Sequence, residues 1–100
     1  MHEIDIDQAA AAHDAGAAFL DVREPAEYRE GHLPGARNIP MSQLTARLDE
    51  LDRSRPVYVV CASGGRSSAM TDVLTAAGFD ATNVAGGTSA WIRSGRPTEK

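Results

Sequence analysis

Short apolar segments alternate along this chain with segments that favour helices. Four of the short segments predict strands, because they are brief, largely apolar and bounded by glycine, proline or polar residues. They comprise residues 18–22, 38–40, 56–60 and 79–84. The segment at 38–40 ends in Pro40, which suits an edge strand because proline cannot donate a backbone hydrogen bond to a neighbouring strand.

The segments between these strands predict helices. The alanine run at 9–12 favours a helix, with Asp7 as its N-cap and Gly16 at its C-terminal end. Residues 24–30 predict a brief helix with Pro25 near its start, a position that proline tolerates well. The glycine that follows this segment ends it.

A leucine stripe marks the next helix. Leu44, Leu48 and Leu51 follow one another at spacings of four and three residues, which places them on one helix face, and Ser42 is positioned to cap that helix. Two further helices are predicted at 68–77 and around 90–92. Strands that alternate with helices predict an α/β domain with a largely parallel sheet, whose ligands bind at the carboxyl ends of strands.

Length and composition limit the possible classes of function. A chain of 100 residues corresponds to one domain, spanning 1–100. The net charge is −4 and no basic run occurs, so nucleic-acid binding is not expected. The longest apolar run is too short to span a bilayer, and the acidic N-terminus lacks the features of a signal peptide. We therefore expect a cytoplasmic protein that binds neither nucleic acid nor membrane.

The single cysteine, Cys61, stands where the strand at 56–60 ends. The glycine-bearing segment 62–67 and a helix follow it. Unpaired N–H groups at a helix N-terminus favour negative charge, and Gly64 and Gly65 allow further amides to turn toward one point. Both effects lower the pKa of a thiol. The pattern predicts a nucleophilic thiolate in an anion-binding loop.

Cys61 also has a simpler interpretation. A lone cysteine after a valine-rich strand is often a small buried hydrophobic residue. The two glycines and Arg66 favour the nucleophile, because a purely structural cysteine has no need of amides that converge on it. One cysteine cannot form an internal disulfide, which agrees with a reducing compartment.

Motifs spread over nearly the whole chain match one known family in their order. They are residues 21–24 with Glu27 and Tyr28, residues 31–36 and 38–40, the loop 61–67, residues 84–87, and Trp91, Gly95 and Pro97. Together they resemble the single-domain rhodaneses of the rhodanese-like sulfurtransferase superfamily. The resemblance implies a three-layer α/β domain with a mostly parallel five-stranded sheet flanked by helices.

The resemblance also implies a chemistry. The catalytic Cys61 would attack the outer sulfur of a small donor anion such as thiosulfate and carry that sulfur as a persulfide. The persulfide sulfur would pass to a nucleophilic acceptor, either a small molecule or a protein thiol. The residues that bind substrate would be Ala62, Ser63, Gly64, Gly65, Arg66 and Ser67. No metal and no organic cofactor is required.

The length of the loop separates this chemistry from the enzymatic alternative. Four residues, 62–65, lie between Cys61 and Arg66. Cysteine phosphatases that share the fold have one residue more and usually place a histidine before the cysteine, where this chain has Val60. The tighter loop suits one sulfur atom rather than a tetrahedral phosphate. The alternatives are phosphatase or arsenate reductase activity, and a non-catalytic rhodanese-like interaction module.

Charged residues near the loop have two interpretations each. Arg66 either holds the substrate anion or pairs with a buried carboxylate and braces the loop. Asp21 and Arg23 lie at the end of a neighbouring strand, where a structural ion pair that braces the loop is favoured over contact with substrate. Breaking one partner of such a buried pair is costly.

Other residues have more ordinary predicted roles. His32 is expected to shape its loop through a hydrogen bond rather than to act as a base, and Trp91 to anchor the last helix in the core. Ser67 is expected to cap a helix rather than to donate to the persulfide. Ala62 and Ser63 are uncharged, whereas thiosulfate-specialised rhodaneses tend to carry basic side chains in this loop. Weak binding of thiosulfate is therefore predicted.

Overall fold

The centre of the molecule is a five-stranded sheet, described by a computed structural model that covers residues 1–100. The strands are β1 (His2–Ile4), β2 (Ala18–Asp21), β3 (Arg37–Asn38), β4 (Val57–Val60) and β5 (Ala81–Val84). Their order across the sheet is β1-β5-β4-β2-β3, and each neighbouring pair is parallel. The prediction of an α/β domain with a five-stranded, mostly parallel sheet is confirmed.

Four α-helices and one 3₁₀ segment connect the strands. They are α1 (Ile6–Asp14), α2 (Pro25–Glu30), the 3₁₀ segment (Met41–Glu50), α3 (Gly65–Ala76) and α4 (Gly87–Arg93). None of these helices combines the length and apolar character that crossing a bilayer requires.

Successive residues of the central strand face two separate hydrophobic clusters. Val59 belongs to the cluster that contains Leu44 of the 3₁₀ segment and Leu74 of α3. The next residue, Val60, belongs to the cluster that contains Trp91 of α4. Side chains alternate between the two faces of a strand, so β4 is apolar throughout because both of its faces are buried. Trp91 is buried in the core, as predicted.

Strand β1 is absent from the sequence prediction. Its residues are exposed or only partly buried, so they form no apolar run, and parallel pairing with β5 alone holds them at the sheet edge. The strand predicted at 79–84 begins later, at Ala81. The amide of Phe79 donates instead to the carbonyl of Leu74 at 3.0 Å, within the turn that ends α3.

The predicted N-cap of α1 is wrong. Asp5, not Asp7, caps the helix: its carboxylate accepts a hydrogen bond from the Gln8 amide at 2.8 Å. The Gln8 side chain in turn accepts one from the Asp5 amide at 2.9 Å. Asp5 therefore has the glutamine partner three residues later that a capping box requires.

The amphipathic helix predicted after Ser42 is a 3₁₀ segment with a kink at Arg47 (φ −122°). Ser42 caps nothing, because Pro40 precedes the first turn and no side chain bonds to it. The leucine stripe still reaches the core: Leu44 is fully buried and Leu48 packs against the same cluster. Burial of the leucine side chains in the core thus stabilises this short segment although its backbone is not a regular α-helix.

Candidate active site

Cys61 lies at the carboxyl end of β4, next to the N-terminus of α3. We call residues 61–67 the Cys61 loop. The sequence predicts this helix over residues 68–77, and it begins earlier, at Gly65. Gly64 is its N-cap, with a left-handed backbone (φ +110°) that glycine adopts without strain. This turn brings the Gly64 amide to the cysteine sulfur.

The sulfur of Cys61 accepts hydrogen bonds within its own loop. The Gly64 amide donates at 3.1 Å and the Ser67 hydroxyl at 3.3 Å. Burial raises the pKa of the thiol, but the Ser67 hydroxyl and the amides of Ser67, Gly64 and Ser63 together outweigh it and hold the pKa below its usual value. The loop therefore stabilises the thiolate.

The capping role predicted for Ser67 is wrong. Gly64 is the N-cap of α3 and no side chain caps that helix. Ser67 instead lies within the first turn, is fully buried, and directs its hydroxyl at the sulfur. It therefore takes the role of a donor to sulfur, the alternative that the sequence left open.

Helix α4 holds the Cys61 loop from the other side. The amide of Thr88 donates to the Cys61 carbonyl and the amide of Ser89 to the Ala62 carbonyl, both at 2.9 Å. In a trans peptide the N–H points opposite to the C=O. Tying down the Ala62 carbonyl thus turns the Ser63 amide toward the sulfur.

This contact depends on a glycine at the start of α4. Gly87 has a left-handed backbone (φ +54°), and a Cβ there would lie 2.4 Å from the Cys61 carbonyl oxygen. No side chain fits at that distance. The contribution of α4 to the loop is not evident from sequence, since residues 87–89 show no feature beyond a turn.

Arg66 forms an ion pair with Glu27 of α2. Its two terminal nitrogens donate to the two carboxylate oxygens at 2.7 and 2.8 Å. The hydrogen bonds from Arg66 hold the pKa of Glu27 at about 2. Pairing with a carboxylate is one of the two roles considered for Arg66, but the partner is half-exposed rather than buried. Glu27 itself was not among the predicted site residues.

Asp21 and Arg23 form a buried ion pair at the end of β2. The Arg23 side chain donates to both Asp21 carboxylate oxygens, at 2.8 to 3.1 Å, and to the Gly31 carbonyl at 2.8 Å. The pair therefore joins β2 to the segment after α2. None of these bonds reaches residues 62–67, so a bracing effect on the Cys61 loop stays a prediction.

His32 has the loop-shaping role that the sequence predicts. Its Nδ1 donates to the Tyr28 carbonyl at 2.9 Å, and the two rings are stacked with centroids 3.6 Å apart. Its backbone exchanges hydrogen bonds with Glu99, which fastens the C-terminal segment to this loop. Its ring nitrogens contact Tyr28 and Glu99, not Cys61.

The thiol is nearly covered. Cys61 is 1% exposed and belongs to the cluster that contains Val59, as its simpler interpretation predicts, while its role as a nucleophile stays a prediction. Ser63 and Gly65 of the same loop are exposed.

Fold and loop together define an α/β domain with a cysteine at the carboxyl end of a parallel strand, in a loop whose amide and hydroxyl groups donate to its sulfur. The family model for the rhodanese-like domain matches residues 5–94. A solved rhodanese-related protein of Thermoplasma volcanium is 33% identical with a TM-score of 0.94, covering 99% of this chain and 98% of that one. The chain belongs to the rhodanese-like domain family.

Two curated relatives extend the comparison. Thiosulfate sulfurtransferase 16, a chloroplastic protein of Arabidopsis thaliana, is 39% identical over 104 aligned residues, covering 88% of this chain and 87% of that protein. The YqhL protein of Bacillus subtilis is 42% identical over 76 residues, which cover 75% of this chain and 60% of YqhL. The match therefore spans less than two thirds of the YqhL length.

Proposed function

We propose that the protein is a sulfurtransferase that moves a sulfane sulfur from a donor to a nucleophilic acceptor through a persulfide on Cys61. The observation that carries the proposal is the set of hydrogen bonds from Gly64 and Ser67 to the Cys61 sulfur. They favour the thiolate, which is the nucleophilic form of cysteine. The sulfurtransferase name of the Arabidopsis relative supports the same chemistry.

The first half-reaction forms the persulfide. The Cys61 thiolate attacks the outer sulfur of a donor such as thiosulfate, a sulfur–sulfur bond forms, and the sulfur–sulfur bond of the donor breaks. Its electron pair leaves with sulfite, so one dianion enters and one leaves. The terminal sulfur of the persulfide carries the negative charge that the thiolate carried before.

The second half-reaction returns the free thiolate. A nucleophile such as cyanide or a thiolate attacks the terminal sulfur, and the electron pair of the persulfide bond returns to Cys61. Backbone amides of the Cys61 loop supply positive ends of dipoles where this negative charge develops. A loop with only four residues between Cys61 and Arg66 suits an added sulfur atom better than a phosphate.

The pairing of Arg66 also favours sulfur transfer over phosphatase chemistry. A phosphate group needs strong cationic donors, and the terminal nitrogens of Arg66 already bind Glu27. We therefore expect turnover of aryl phosphates to be negligible beside sulfur transfer.

Mass spectrometry of the intact protein tests this proposal directly. After incubation with thiosulfate, the wild type should gain the mass of one sulfur atom and lose it again on addition of cyanide, while Cys61→Ser should gain none. Hydrolysis of an aryl phosphate is measured on the same preparation. Phosphate hydrolysis that exceeds sulfur transfer and depends on Cys61 would contradict the proposal. Labelling of Cys61 no faster than a free model thiol would indicate a non-catalytic module instead.

A further inference from the structure

The charges around the Cys61 loop cancel in pairs. Arg66 is the only charged side chain within residues 61–67, and Glu27 occupies both of its terminal nitrogens. A second guanidinium at this end of the sheet, that of Arg23, is bound to Asp21. Both arginines are therefore already paired with a carboxylate.

A shallow cleft beside the Arg66–Glu27 pair carries additional negative charge. It has a volume of about 310 Å³ and is lined by Arg23, Ala26, Glu27 and Glu30. Glu30 is exposed and forms no ion pair. A dianion on this side of the Arg66–Glu27 pair therefore meets two carboxylates, while the cation of that pair is already neutralised.

We propose that Glu27 is a specificity-determining residue: by holding Arg66 in a neutral pair, it makes the site prefer sulfane-sulfur donors of low charge, such as organic persulfides and thiosulfonates, over dianionic thiosulfate. This inference rests on the proposed sulfurtransferase function. It assigns the preference to a residue on α2, outside the loop that carries the nucleophile.

The geometry of the Arg66–Glu27 pair explains why a preference for donors of low charge is expected at neutral pH. Two parallel hydrogen bonds join a guanidinium and a carboxylate in their strongest arrangement, and the pKa of Glu27 at about 2 keeps it ionised throughout the working range. A dianion would have to displace this carboxylate before Arg66 could bind it. A donor with less charge has less need of Arg66 and is repelled less by Glu27.

The experiment compares two donors that differ by one charge. Thiosulfate is a dianion, and methanethiosulfonate replaces one of its oxygen atoms with a methyl group and is a monoanion. Glu27→Gln should raise kcat/KM for thiosulfate by about tenfold, the effect of one charge-assisted contact made available. The change for methanethiosulfonate should be clearly smaller. In the wild type, the Glu24 amide donates a hydrogen bond to the Glu27 carboxylate at 3.0 Å. Glutamine keeps an oxygen that can accept this bond, so the variant should fold.

Glu30→Gln is the matched control. It removes a carboxylate from the same cleft without releasing Arg66, so the preference between the two donors should change less than twofold. Adding Arg66→Gln to Glu27→Gln should abolish the gain for thiosulfate. An unchanged preference in Glu27→Gln, or an equal change in Glu30→Gln, would overturn the inference.

Alkylation of Cys61 gives a readout that does not involve sulfur transfer. Iodoacetate and iodoacetamide are similar in size but differ by one negative charge. Steric access to the sulfur affects both rates alike, so the ratio of the two rates reports the electrostatic potential near Cys61. Glu27→Gln should shift this ratio toward iodoacetate by several fold. Failure of the proposed function would appear as no transfer from either donor to the wild type. Failure of this inference would appear as transfer with an unchanged preference and an unchanged alkylation ratio.

Discussion

The two central strands of the sheet, β2 and β4, run side by side, and each ends at a buried acidic group. Asp21 is the last residue of β2 and lies opposite Val60, which Cys61 follows. The Asp21 carboxylate is held by the guanidinium of Arg23. The Cys61 sulfur, only one residue further along, is held by an amide and a hydroxyl.

The difference agrees with the roles proposed for them, structural for Asp21 and reactive for Cys61. A carboxylate bound to a guanidinium is neutralised by a fixed charge, and removing either partner leaves the other uncompensated. Amide and hydroxyl dipoles stabilise a thiolate without a cation bound to it. This arrangement leaves the sulfur with no bound cation that a donor would have to displace in the proposed reaction.

The largest expected effect comes from breaking the buried pair. Asp21→Ala leaves the nearly buried Arg23 without its carboxylate and should lower the free energy of unfolding by about 3–5 kcal/mol. Glu27→Ala breaks a half-exposed pair and should cost no more than about 1 kcal/mol. Urea denaturation measures both. If Asp21→Ala unfolds like the wild type yet fails in turnover, Asp21 is catalytic and the contrast is wrong.

Gly87→Ala tests whether α4 positions the backbone of the Cys61 loop. A left-handed alanine costs about 1–2 kcal/mol, and its Cβ would also displace the Cys61 carbonyl, 2.4 Å away. Gly16→Ala is the control, because Gly16 has φ +85° but nothing within 4 Å of the added Cβ. We expect Gly87→Ala to lose more stability than the control and to slow alkylation of Cys61 at pH 7. Equal behaviour of the two variants would show that α4 does not position the loop.

Ser67→Ala removes one dipole from the thiolate. The pKa of Cys61 should rise, since the Ser67 hydroxyl is the strongest of the groups that lower it. A hydrogen bond to a charged group is worth at least about 1.5 kcal/mol, so alkylation at pH 7 should slow by about tenfold and recover as the pH is raised. In the control Ser68→Ala, the lost hydroxyl bonds to Met1 and the rate should not change. A Ser67→Ala rate equal to that of the wild type at pH 7 would argue against this role.

The smallest expected effect is the loss of stability from the half-exposed Arg66–Glu27 pair at acidic pH. Glu27 has its pKa lowered from 4.5 to about 2 by the hydrogen bonds from Arg66. Its contribution to stability is therefore present above pH 4.5 and is lost as the pH falls toward 2. Compared with Glu27→Gln, the wild type should lose an advantage of less than about 1 kcal/mol over that range, and less in high salt. A constant difference between the two proteins across these pH values would contradict the assignment.

The fold was largely predictable because its central strands carry their own signal. β4 is buried on both faces and reads as an uninterrupted apolar run. β1 could not be found in this way, since its residues are mostly exposed and only pairing with β5 defines them as a strand. Asp5 was missed as a cap although Gln8 stands at the expected spacing.

The site was predictable only where its parts are adjacent in sequence. Cys61, Gly64 and Arg66 form one segment whose chemistry can be read locally. The Arg66–Glu27 pair joins residues 39 positions apart, and no periodicity connects them. The direction of the Ser67 hydroxyl depends on where α3 begins, and a shift of three residues in that boundary decides between a cap and a donor to sulfur.

The strand order also determines when the Cys61 loop can be completed during synthesis. During synthesis from the N-terminus, β1 has no partner in the sheet until β5 has been made, because β5 is its only neighbour. Pairings between such distant residues form slowly, since a long stretch of chain must be ordered to close them. The carbonyls of Cys61 and Ala62 must wait longer still, for the amides of Thr88 and Ser89. The Cys61 loop is thus completed only after Ser89 has been synthesised.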